Sequence, residues 1–305
     1  MSRDLSRRPS RLARVGQALL VALCALGAAA GGFLVLCLLG VLSPAALSQQ
    51  LSGWLEEPAA APAVAPAEDV TVPDAAPFRG VFLPLDRLDE AAALAGTANS
   101  LLLPMKQDDG TLGYVSTLPA AAEAKASAGD PQRNRDLLAL NQTPGLYTVA
   151  QVACLRDGAL VRQDPSLALT RVSGSPWRDE DGQSWLDPAD PKVQDYLAGI
   201  CQELANLGFD EILLTHCAFP TQGQVDSLRP VPGKTRALET LCRRLQQALA
   251  GEGVTLSIQG LPDSSSQRPA SGQTPAFLAA FGRVWAAPDD QQALAAFRPA
   301  LLPEG

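Results

Sequence analysis

The chain has 305 residues, with 24 Lys plus Arg against 32 Asp plus Glu, a single histidine and 47% hydrophobic residues. That apolar content excludes a disordered polymer, and the length allows one large domain or two small ones. Charge is unevenly spread: residues 1–43 hold five arginines and one acid, a net of +4, which leaves −12 for the remainder. An acidic body of this kind repels phosphate backbones, so nucleic acid is not expected as a partner. One histidine and no Cys-x-x-Cys pair also leave no recognisable metal site.

The N-terminus reads as an anchor. Residues 1–14 form a basic tail containing Arg3, Arg7, Arg8, Arg11 and Arg14, and Val15 to Leu42 then run 28 positions without a charge. At about 1.5 Å per residue this apolar run exceeds the roughly 30 Å hydrocarbon core, so residues 15–43 are expected to span a bilayer once. The arginines place the N-terminus in the cytoplasm and everything after Ser43 outside the cell membrane. A cleaved signal peptide ending near Ala46-Leu47-Ser48 is the competing reading, but the run is about twice the usual apolar stretch of such peptides. Gly27 and Gly31 form a Gly-x-x-x-Gly step, a contact through which two such helices could form a homodimer. Residues 44–78, dominated by proline and alanine, read as an extended linker. The folded domain is expected over 79–305, long enough to bury a sizeable core.

Within that domain short apolar runs alternate with amphipathic segments. Candidate strands are Gly80–Leu83, Ser100–Leu103, Leu146–Val149, Glu211–Leu214, Val254–Ile258 and Arg283–Ala287. Near-continuous apolar runs suit a parallel sheet covered on both faces. The clearest helix starts at Asp190-Pro191, an N-cap followed by proline at the first helical position, and stops at Gly208. A second runs from about Thr235 to Ala250, and weaker candidates cover Arg133–Asn141 and Asp289–Phe297. Six strand-then-helix units result. The fold class is therefore α/β, a (β/α) TIM-type barrel that is either incomplete or conceals two further units. An open doubly wound sheet is the alternative; no glycine-rich phosphate loop follows any strand, so no nucleotide cofactor is expected.

Four motifs in order carry a resemblance. Leu207-Gly208-Phe209-Asp210-Glu211-Ile212 precedes Phe219-Pro220, and Asn99–Lys106 is followed by Asp108, Gly110 and Tyr114. Gly145-Leu146-Tyr147 leads through Ala150 to Asp157, and Trp185-Leu186-Asp187-Pro188 is followed by Tyr196. Together they resemble the glycosyl hydrolase-like domain family, bacterial and often cell-surface proteins with an α-amylase-like TIM barrel. The resemblance covers roughly residues 79–261 and implies a carbohydrate substrate, an envelope or cell-wall polysaccharide.

Departures from the family pattern fall at the expected catalytic positions. The family's fourth strand ends in Asp-Tyr with an arginine two residues later; this chain has Thr215, His216 and Ala218. The second strand usually ends in Asp where Pro104 stands, with a further acid where Gln107 stands, and the third carries Ala-Arg where Ala150-Gln151 stands. Glycosidic cleavage needs two carboxyl groups, about 5–5.5 Å apart for retention or 6.5–9.5 Å for inversion. The resemblance thus implies a degenerate enzyme, a membrane-anchored pseudoenzyme that binds glycan or serves as a scaffold. The alternative is an active glycosidase using unconventional carboxylates at the strand C-terminal ends, drawn from Asp108, Asp109, Asp157, Asp187 and Asp263.

In that alternative Asp263, Asp108 and His216 are the catalytic candidates, Asp263 because it follows the strand where such barrels carry a general acid. His216 is a candidate because an imidazole titrates near neutrality. For binding, Trp177 and Trp185 offer aromatic faces in the loop 173–188, Trp177 as the more exposed and Trp185 as the loop's anchor. Asp187, Lys106 and Thr215 complete the set, and Arg178, Asp179, Glu180, Asp181 and Gln183 offer hydrogen-bonding partners in the same loop. Among the cysteines outside the anchor, Cys154 and Cys217 follow neighbouring strands and could bridge. Cys201 and Cys242 fall on the apolar stripes of successive helices, where buried free thiols, packing as small hydrophobes, explain the pair about as well as a disulfide.

Overall fold

A computed structural model describes residues 80–94, 100–262 and 268–303. The basic tail, the apolar segment 15–43, the linker 44–78 and Asp263 lie outside the described residues. Among the described residues no helix is long and apolar enough to cross a membrane.

Seven parallel strands form one sheet in chain order: β1 (Gly80–Phe82), β2 (Ser100–Lys106), β3 (Tyr147–Ala153), β4 (Glu211–Thr215), β5 (Thr255–Gln259), β6 (Arg283–Ala286) and β7 (Ala300–Leu301). Within the described residues β1 and β7 are the two ends of this order and do not pair with each other. The result is an open, curled parallel sheet consistent with an incomplete (β/α) barrel. The seventh strand, two residues long, has no counterpart in the sequence reading.

The connecting helices are α1 (Ala91–Leu94), α2 (Pro119–Glu123), α3 (Arg133–Asn141), α4 (Gly158–Gln163), α5 (Pro191–Asn206), α6 (Lys234–Ala248), α7 (Arg268–Ser271) and α8 (Pro275–Leu278). Helix α5 begins as its sequence dictates: the Asp190 carboxylate accepts from the Lys192 N–H at 2.7 Å, and Pro191 occupies the first turn. Its buried stripe of Val193, Leu197, Ile200 and Leu204 covers the sheet, and Gly208 turns the chain out in the left-handed region at φ 85°. The helix expected over Asp289–Phe297 is instead two short 3₁₀ turns, Pro288–Asp290 and Ala295–Phe297. Leu294 is fully buried there but stands without a helical stripe, so no apolar face holds a longer helix against the sheet.

The two faces of the sheet differ. Leu101, Leu103, Ala150, Ile212, Leu214 and Ile258 pack outward into the main core with the helices, whereas Leu102, Val149, Leu213 and Trp285 form a separate cluster inside the curl. Glu211 closes the N-terminal end of that interior. Fully buried, it accepts from Trp285 Nε1 at 2.7 Å and Tyr147 Oη at 2.9 Å, and Arg283 Nη1 stands 3.3 Å from it. A buried carboxylate is tolerated when charge and hydrogen bonds both meet it, and here both do. The interior is thus apolar above a satisfied polar plug.

Candidate functional site

The mouth of the sheet is organised around Arg156, three residues past β3. Its Nη1 meets Asp108 Oδ2 at 2.5 Å, while Nη2 meets Asp179 at 2.8 Å and Asp181 at 2.7 Å. Burial works against its charge, but Asp181, Asp108 and Asp179 outweigh that cost and raise its pKa above the ordinary guanidinium value. Three carboxylates from two loops therefore share one cation.

Each acid is placed by local structure. Asp108 sits at the tip of a tight turn closed by Gly110 N–H donating to the Gln107 carbonyl at 3.0 Å. Gly110, at φ 91°, lies against Asp157, and a Cβ there would fall 2.0 Å from Asp157 Oδ1. This turn can only carry glycine. Asp179 folds the second loop: its Oδ1 accepts from the N–H groups of Asp181 and Gln183, and its Oδ2 from Trp185 Nε1 at 2.8 Å. Antiparallel bridges between Arg156 and Trp185, Ala168 and Leu186, and Arg178 and Ser184 fix this loop to the end of β3.

Below Arg156 lies Lys106. A register shift between Pro104 and Lys106 at the end of β2 accommodates a proline that cannot donate to the ladder. The Lys106 ammonium donates to the carbonyls of Ala153 at 2.6 Å and Arg156 at 2.7 Å and pairs with Asp157 at 3.1 Å, both side chains being 0% exposed. Asp157 also caps α4, accepting from the Leu160 N–H at 2.7 Å. Lys106 is thereby fully engaged with protein, and it holds the β3 exit rather than facing the mouth.

His216 follows β4 with a left-handed backbone, φ 51°, a conformation uncommon outside glycine. Its Nδ1 is 3.4 Å from Asp108 Oδ1, its Nε2 is 3.4 Å from Arg156 Nη1, and Trp185 meets its ring edge-on at 5.8 Å. Burial lowers its pKa below 6.5; Asp108 and Asp179 work against that shift, and Arg156 and Lys106 reinforce it. The net shift favours the neutral imidazole.

These groups border a cavity of about 450 Å³ whose lining includes Arg156, Asp179, Asp181, Trp185, His216 and Gln259. Its floor is held by Gln273, whose amide donates to the carbonyls of Cys217 and Gln259, both at 3.2 Å, and accepts from the Leu261 N–H at 2.9 Å. One buried side chain so joins the exits of β4 and β5.

Of the residues singled out from sequence, His216, Trp185, Asp179, Glu180 and Asp181 line this cavity, and Asp108 joins it through Arg156. Trp177 does not: it is 0% exposed, donates to the Gln224 carbonyl at 3.1 Å and packs edge-on against Trp185 at 6.4 Å. The expected order of exposure is reversed, because the loop folds back and tucks Trp177 beneath it. Thr215 is buried with its hydroxyl toward the Val152 carbonyl, and Asp187 forms a turn that accepts from the Ala189 N–H at 2.9 Å. Arg156 and Gln273 were missed. The charge pair Arg156-Asp157 directly after an apolar strand was the available signal for the first; nothing local marks the second. Among the described residues no group of His, Cys, Asp and Glu is arranged to hold a metal ion. The four cysteines at 154, 201, 217 and 242 are buried and all are free thiols in this structure, the pair Cys154 and Cys217 considered from sequence included.

Comparison with known proteins follows the geometry. A family profile described as "Putative glycosyl hydrolase domain" matches residues 87–279. Among solved structures, a hypothetical protein from Ruminiclostridium thermocellum is 28% identical, with a TM-score of 0.52, over 58% of this chain and 96% of that one. The PgaB (BpsB) glycoside hydrolase domain from Bordetella bronchiseptica is 15% identical, with a TM-score of 0.52, over 72% of this chain and 76% of that one. Flavobacterium johnsoniae chitobiase is 15% identical, with a TM-score of 0.50, over 74% of this chain but only 38% of the chitobiase. The last two likenesses concern the fold. A search of curated proteins finds no match.

Proposed function

The chain belongs to the putative glycosyl hydrolase domain family, and on that premise we propose that it binds a glycan in the cavity at the strand ends without cleaving it. The observation that carries this reading is the convergence of Asp108, Asp179 and Asp181 on the single guanidinium of Arg156. A glycosidase needs two carboxyl groups facing each other across the bond, one of them retaining its proton. Here the acids are drawn together on a cation, and the mouth-side positions Pro104, Gln151 and Thr215 bring no carboxylate. A polar lining with an exposed Asp181, 77% accessible, suits hydroxyl-rich ligands.

The second reading is a hydrolase with an unconventional acid, favoured by the 3.4 Å approach of His216 to Asp108. A glycan array and a hydrolysis screen on the full-length chain separate the two. Binding without turnover, weakened about tenfold in Asp181→Ala, is the expected result, corresponding to about 1.4 kcal/mol. Turnover that disappears in Asp108→Asn would replace the binding reading with the hydrolytic one.

We further propose that residues 15–43 tether the domain to the bilayer, with 1–14 cytoplasmic, 44–78 as spacer and the domain outside, where envelope glycan is the nearest ligand. The Gly27–Gly31 step would serve a homodimer within the membrane. Protease digestion of intact cells tests the orientation: loss of residues 79–305 is expected, and full protection would overturn it.

A further inference from the structure

The geometry points to a disulfide between Cys217 and Cys242 that staples the floor of the cavity to α6. Cys217 directly follows His216 at the exit of β4 and lines the cavity, and Cys242 projects from the buried stripe of α6. Their sulfurs stand 3.7 Å apart, both residues being buried. Bond formation closes that gap to about 2.05 Å, a movement within reach of side-chain rotation on neighbouring elements. Cys217 is in side-chain contact with both Cys154 and Cys242, and the 3.7 Å approach to Cys242 is the one that would join the β4 exit to a helix. Cys154 approaches Cys217 from β3, and Cys201 lies on α5. The inference rests on the proposed placement of the domain outside the cytoplasm, because disulfides persist in oxidising compartments.

The chemistry balances with a disulfide co-reactant, such as the active-site bridge of a thiol oxidoreductase. Two S–H bonds break and one S–S bond forms, and the two electrons and two protons pass to the co-reactant, which leaves as a dithiol. The hydrogen bond with Cys217, and then burial, raises the Cys154 pKa well above the ordinary thiol range; at Cys217 the contact with Cys154 lowers it, but the hydrogen bond with Cys242 and burial win, so neither presents a thiolate once the fold has closed. The bond is therefore made while the β4 exit is still accessible, during folding, and is afterwards shielded from exchange. Its consequence for the site is positional: the residue after His216 becomes covalently fixed, and the left-handed turn that aims the imidazole is held from below.

The test traps thiols with N-ethylmaleimide in acid-quenched cells producing the full-length chain, then maps unreduced peptides by mass spectrometry. A linked peptide joining Cys217 to Cys242, with maleimide on Cys154 and Cys201, is expected; Cys242→Ser should lose the link, and Cys201→Ser should keep it. A link joining Cys154 to Cys217 overturns the assignment. A second arm does not depend on location: the purified full-length chain is unfolded in urea and refolded in detergent with diamide present, whose N=N bond accepts the two electrons and two protons as it becomes a hydrazine. The Cys217–Cys242 link is expected there too, and four free thiols after diamide overturn the proposal. Four free thiols in cells, with a link formed by diamide, place the failure on the export reading alone, and the pairing stands.

Discussion

Lys106 and His216 both end strands, yet they do different work. Replacing Lys106 by Met strands the Asp157 carboxylate and two carbonyls in the interior. Loss of one partner of a buried pair costs about 3–5 kcal/mol, so urea denaturation of Lys106→Met should show a shift of that size. A change below about 0.5 kcal/mol would show that Asp157 finds another partner. The His216 prediction concerns pH. Its folded pKa lies below the ordinary 6.5, so the unfolded chain takes up a proton at a higher pH than the folded one. Stability should be full above about pH 6.5 and fall as acid is added below it, and His216→Gln should flatten that part of the profile in thermal melts at several pH values. The sequence marked both residues as belonging to the mouth. It could not show that the shift at Pro104 turns Lys106 into a buried clamp, because a register irregularity depends on the neighbouring strand.

Elements repeat the lesson at a larger spacing. Helix α5 was legible because stripe, cap and stop signal agree, at Asp190-Pro191 and Gly208, whereas α6 was legible from its stripe of Leu238, Leu241 and Leu245 without a side-chain cap. The loop between β3 and α5 was not, since its bridges join residues such as Arg156 and Trp185 that only the folded chain brings together. Helix α5 carries one further device, also invisible in sequence. Glu203 accepts from Tyr114 Oη at 2.8 Å, from Ser116 Oγ at 2.7 Å, and from the Thr117 N–H and hydroxyl, both at 2.7 Å, tying the segment after β2 to the helix. Burial, and then this carboxylate, push the Tyr114 pKa well above the usual phenol range. Glu203→Ala should cost about 2–3 kcal/mol in chemical denaturation, the scale of hydrogen bonds to a charged acceptor. Hydrogen exchange of the Thr117 amide should rise in parallel, and an unchanged rate would show that the segment is held elsewhere.

Across the whole molecule, the parallel α/β architecture follows from the apolar strand runs. Between β6 and β7, which still pair, two 3₁₀ turns stand in place of the expected packed helix. The plug at Glu211 is a property of three strands at once, β3, β4 and β6. Glu211→Ala leaves Tyr147, Trp285 and Arg283 without their carboxylate in the interior, and the loss is expected to be about 3 kcal/mol by thermal or chemical denaturation. A variant as stable as the parent would show that these groups re-pair among themselves. The same plug, with Leu102, Val149, Leu213 and Trp285 stacked above it, makes the sheet interior a dead end along its axis. A ligand that seats at the mouth meets this packed apolar stack end-on and has no route along the sheet axis past it.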